Sequence, residues 1–93
     1  MAYSIALAKF LNLKSIWVWS WTSRDDPGWD YWKHTAIKYR GKLYDYHGLT
    51  NIQKIRKDFG SGKLVRVSLV AAVKQYHYKS ILKKAEKLVR EKW

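Results

Sequence analysis

The sequence predicts an α+β fold: a small two-layer domain over residues 1–93, with a mainly antiparallel four-stranded sheet and helices at both the N- and C-terminal ends. Three patterns carry this. Tyr78, Ile81, Leu82, Ala85, Leu88 and Val89 recur at spacings of three and four, as on a helix face. Residues 15–22, SIWVWSWT, are dominated by β-branched and aromatic side chains, as in a strand. Two short β-rich runs flank Arg40-Gly41-Lys42, where glycine can take the positive φ of a tight connection. At 93 residues, the chain buries about two thirds of its unfolded surface, which limits it to one core.

Taken in order, Tyr3, Leu7, Phe10 and Leu11 form the stripe of an opening helix over residues 3–11, with Asn12 as a left-handed terminator. The strand over 15–22 would place Trp17, Trp19 and Trp21 on one face. SRDDPGWDYW supplies turn chemistry through Pro27, Gly28 and its aspartates, so a loop follows. His34–Tyr39 and Leu43–His47 form a hairpin. Thr50 is positioned to cap a short helix over Asn51–Asp58, in which Ile52, Ile55 and Phe59 share a side, and Gly60-Ser61-Gly62 ends it. Lys63–Val73 reads as a central or near-central strand because its apolar run is nearly continuous. The last helix carries Lys79, Lys83, Lys84, Lys87, Arg90 and Lys92 opposite its apolar stripe.

Cysteine is absent, which excludes disulfides, thiolate metal sites and a cysteine nucleophile. Lys9 interrupts the apolar N-terminal stretch and charges recur along the chain, so neither a signal peptide nor a membrane span is expected. The expected setting is soluble and cytoplasmic. Nineteen Lys and Arg against seven Asp and Glu give a net charge of +12, which concentrates polyanions near the surface. The charge is uneven: +2 over residues 1–23, +1 over 24–45, +4 over 46–73 and +5 over 74–93. Lysines of this kind also serve as plain solubilising surface.

Several constellations bear on chemistry. Trp17, Trp19 and Trp21 can stack unpaired bases, although three tryptophans on one face of so small a domain suit its core better; Trp29, Tyr31 and Trp32, in a polar stretch, are better placed for exposed contacts. Asp25, Asp26, Asp30, His34, Asp45 and His47 can converge near one end of the sheet. Histidine beside carboxylate serves general-base catalysis, and mixed Asp/His sets suit divalent metals, but no spaced metal motif appears and solvated, satisfied histidines are the plainer reading. FGSGKL at 59–64 lacks the first glycine and the Ser/Thr of a phosphate-binding loop and precedes a strand.

The run WKHTAIKYRGKLYDYHG, residues 32–48, resembles the histidine-bearing hairpin of circularly permuted papain-like amidases, the group that includes the lecithin:retinol acyltransferase family. The resemblance implies that His34 matches the base and Asp45 or His47 the group that orients it. The family's cysteine would fall at the start of the final helix, where only Ser80 offers an oxygen. What the resemblance then implies is a catalytically inactive protein that binds or inhibits another protein.

The function expected first is a small basic nucleic-acid-binding protein. Phosphates would be gripped by Lys54, Arg56, Lys57, Lys63 and Arg66 together with Lys79, Lys83, Lys84, Lys87 and Arg90, and Trp29 and Trp32 would add stacking. RNA or DNA is the expected partner, a protein partner is the rival, and no membrane, cofactor or metal is expected. A hydrolase or nuclease working through His34, Asp45 and His47 is the third reading, with a non-enzymatic role favoured over it.

Overall fold

Helix α1 (Ala2–Phe10) is apolar on nearly every side, and Ala2 through Ala8 are all buried. A helix with this pattern has to be enclosed on several sides, and it lies between the sheet and the C-terminal helix. Its end is a Schellman motif: Leu13 N–H donates to Ala8 O at 2.8 Å, Asn12 N–H donates to Lys9 O at 3.1 Å, and Asn12 takes φ 58° as its sequence suggested. The computed structural model describes residues 1–20 and 32–93; of Trp32 it describes the backbone alone. The loop expected over 23–32 therefore lies outside the described residues, except for its last position, as do Trp21, Asp25, Asp26, Trp29, Asp30 and Tyr31.

The sheet is antiparallel and has five strands, in the order β4-β3-β2-β1-β5. β1 (Ser15–Ser20) lies between β2 (Trp32–Tyr39) and β5 (Lys63–Ser68). β2 and β3 (Lys42–Asp45) make the expected hairpin through Arg40 and Gly41 alone. Both residues have positive φ, 52° and 78°, a pairing that matches the twist of the flanking strands. β4 (Gly48–Thr50) then folds back on β3 and was not anticipated; three residues carry too little alternation to show in a sequence. Thr50 belongs to this strand, and the cap of α2 (Ile52–Phe59) is Asn51, whose side chain accepts from Lys54 N–H at 2.9 Å.

The run over 63–73 is the largest departure from expectation. β5 stops at Ser68, whose Oγ accepts from Ala71 N–H at 3.1 Å and starts a separate helix, α3 (Leu69–Gln75). β5 is also an edge strand. An unbroken apolar run does not distinguish strand from buried helix, and the serine cap decides between them. The final helix, α4 (Lys79–Lys92), buries Ala85 and Val89, whereas Ile81 and Tyr78 at its start remain exposed. Trp93 closes the chain onto the core, its Nε1–H donating to the Tyr3 hydroxyl at 3.3 Å and its ring lying edge-on to Tyr44.

Strand alternation divides the core in two. Ile16, Val18 and Ile37 face α1, α3 and α4 and join Ile5, Leu7, Ala72 and Val89 in one cluster. Trp19, Ala36 and Leu43 face the other way and are covered by Ile55 and Phe59 of α2. The helices at the two ends of the chain thus share one side of the sheet, and α2 covers part of the opposite side.

Candidate functional site

Register places His34 opposite Trp19 on β2, on the α2 side of the sheet. Asp45, at the end of β3, reaches it with Oδ2 at 2.8 Å from His34 Nε2. A carboxylate only accepts, so His34 Nε2 carries the proton of this bond. Asp45 Oδ1 accepts from the backbone N–H of His47 at 2.9 Å. The His34 ring lies nearly parallel to Phe59, with centroids 4.3 Å apart. His34 and Asp45 are therefore brought together, while His47 reaches the pair through its backbone and its imidazole is turned out against Tyr46.

A cavity of about 420 Å³ opens between α1, β2 and α4, lined among others by Ser4, His34, Thr35, Tyr46, Tyr76 and Lys84. Ser4 and Thr35 hydroxyls bond one another at 2.9 Å on its buried side. Burial, with Tyr78 nearby, raises the pKa of the Tyr76 phenol above its ordinary value. Ser80, the oxygen that the hairpin resemblance offers as a nucleophile, is exposed in the first turn of α4 and does not line this cavity. Among the described residues no group of three or more His, Asp and Glu comes together to hold a metal.

The basic residues are divided by the fold. Lys54, Arg56 and Lys57 are on α2 and Arg66 is on β5, on the side of the sheet occupied by Trp19; Lys79, Lys83, Lys84, Lys87 and Arg90 are on α4, on the other. The single grip expected from the C-terminal helix and the 54–66 segment therefore consists of two surfaces. Lys63 begins β5 opposite Ser20. The described residues hold 18 of the 19 Lys and Arg but only four acids, Asp45, Asp58, Glu86 and Glu91. Of these, Asp45 is bound to His34, and Glu86 lies 3.7 Å from Lys9.

A further grouping on the α2 side was not anticipated. Trp17 is flanked on β2 by Ala36 and on β5 by Arg66. Lys38, two residues beyond Ala36, holds its ammonium 3.8 Å from the Trp17 ring centroid. Diagonal neighbours of this kind are within reach of a long side chain. Arg56 extends from α2 over Trp19, 5.8 Å from its ring. Lys33 donates to Phe59 O at 3.2 Å, a cation at the C-terminal end of α2. The two-residue alternation of 15–20 and 34–39 contained part of this grouping, since it puts Trp17 and Lys38 on definable faces; which faces coincide depends on register.

Comparison of the chain with family models, curated proteins and solved structures returns no match. No helix among the described residues is long and apolar enough to cross a membrane.

Proposed function

We propose that this protein binds nucleic acid through the α2 side of its sheet, with Lys38, Arg56 and Arg66 as phosphate contacts. One observation carries the reading: cations from three separate elements, β2, α2 and β5, are gathered on one sheet face around Trp17 and Trp19. Phosphate recognition needs clustered cations in no unique arrangement, and the excess of 18 basic over four acidic residues among the described positions supplies the long-range attraction. The α4 lysines add to that field from the opposite side.

The test is affinity for a labelled 12-nucleotide strand and its duplex at several salt concentrations. Replacing Lys38, Arg56 and Arg66 together with glutamine removes up to three phosphate contacts. At about 0.7 to 0.9 per contact, the slope of log K against log salt falls by up to roughly 2 to 3. The Lys83→Gln, Lys84→Gln, Lys87→Gln variant is expected to keep most of the slope. The reverse pattern moves the interface to α4, and no binding by the unaltered protein at low salt ends the reading.

His34 bonded to Asp45 favours a second reading, a hydrolase with His34 as general base. Its test is loss of a hydrolytic activity by about 10²–10⁴-fold in His34→Ala, with nucleic-acid affinity unchanged.

A further inference from the structure

Building on the nucleic-acid reading above, we infer that the sheet face around Trp17 is a platform for single-stranded nucleic acid, on which the Trp17 indole stacks an unpaired base. Trp17 and Trp19 lie on the same face of β1 but in different environments. Trp19 is 1% exposed, covered by Ile55, and its Nε1–H donates to Gly60 O at 3.2 Å. It is core. Trp17 is only half-buried and belongs to neither apolar cluster. Among the described residues, the Lys38 ammonium, a group that is itself exposed, lies over its ring.

A cation over an aromatic face at an exposed site contributes less than a stacked base supplies. A strand laid across the face lets Lys38 move from the ring to a phosphate while a base takes its place. The exposed Arg66, on the strand at the other side of Trp17, is placed for the backbone on that side. Every base has a π-face, so this mode is tolerant of sequence. A duplex keeps its bases stacked internally and offers the same surface phosphates alone, so Trp17 contributes to strand binding and not to duplex binding.

The experiment compares Trp17→Leu and Trp17→Phe with the unaltered protein, by fluorescence anisotropy on a labelled 12-residue oligothymidylate and on the same strand paired with oligoadenylate. Thermal melts confirm that each variant is folded. The expected result is a loss of about 5- to 150-fold on the single strand for Trp17→Leu, a smaller loss for Trp17→Phe, and less than twofold change on the duplex. Polyglutamate should compete more weakly than unlabelled oligothymidylate at equal charge.

Equal losses on strand and duplex, no loss on the strand, or equal competition by polyglutamate would overturn the stacking role while leaving phosphate binding in place. If Trp17→Leu fails to fold, Trp17→Phe decides: single-strand affinity at or above that of the unaltered protein refutes the platform, and a selective loss on the strand supports it. Absence of binding to either nucleic acid by the unaltered protein removes both this inference and the reading it rests on.

Discussion

Gly62 lies in a Gly-Ser-Gly turn and looks replaceable, yet substituting alanine there should be among the more damaging small changes in the protein. Its φ is outside the left-handed range, so the penalty is steric. A Cβ at this position would lie 2.5 Å from Ser20 O, 2.9 Å from Trp19 Nε1 and 3.1 Å from the Ser20 carbonyl carbon. Ordinary contact begins at 3.4 Å, so relief requires a shift of about 0.9 Å. The obstacle is the backbone of β1, held by β2 on one side and β5 on the other. Overpacking of this kind costs about 1–3 kcal/mol. Moving Trp19 Nε1 away from Gly60 O adds roughly 1 kcal/mol. A total of about 2–4 kcal/mol is a large part of the ~5–14 kcal/mol expected for a domain of this size. At ~4–8 °C per kcal/mol, the melting temperature should fall by at least about 8 °C. Gly41→Asn is the control: φ is 78° but nothing lies within 4 Å of its Cβ position, and asparagine tolerates that backbone, so the loss should stay below about 1 kcal/mol. Urea and thermal unfolding of both variants measure the difference. A Gly62→Ala midpoint matching the unaltered protein, or a smaller loss than Gly41→Asn, would refute the close approach of this turn to β1.

Two further predictions concern the helices. Val89 is fully buried and Ile81 is 49% exposed, so Val89→Ala should cost about 1.5–3 kcal/mol and Ile81→Ala less than about 1 kcal/mol, although isoleucine loses more atoms. Denaturant titration giving the opposite order would mean that α4 is rotated relative to the core. Ser68→Ala should cost about 1 kcal/mol through loss of the α3 cap, and a change below ~0.3 kcal/mol in urea unfolding would favour a strand continuing through Ser68.

The elements legible in the sequence are those whose signals are local. Asn12 takes the left-handed conformation that few other side chains tolerate, and α1 ends there. Arg40 and Gly41 make the hairpin because glycine admits the positive φ the turn requires. The stripe on α4 appears because helical period and one-sided burial are properties of the segment itself, though only Ala85 and Val89 are deeply buried. The His34–Asp45 pair was also within reach, since a hairpin of known turn aligns its two strands.

The remaining features belong to the tertiary structure. Whether LVRVSLVAAV continued as a strand or broke into β5 and α3 depended on Ser68 finding the Ala71 N–H, and on Leu69 N–H donating to Lys14 O at 2.8 Å, across more than fifty residues of chain. The sequence by itself determined a basic α+β domain with its turns and terminal helices, because these follow from backbone preference and amphipathic period. Only the tertiary structure decided that α2 crosses to the face opposite α1 and α4. That placement separates the two basic sets, buries Trp19 and leaves Trp17 beneath Lys38. The physical reason is that alternation assigns neighbouring residues to opposite faces of a strand, but cannot say which face a distant helix will cover.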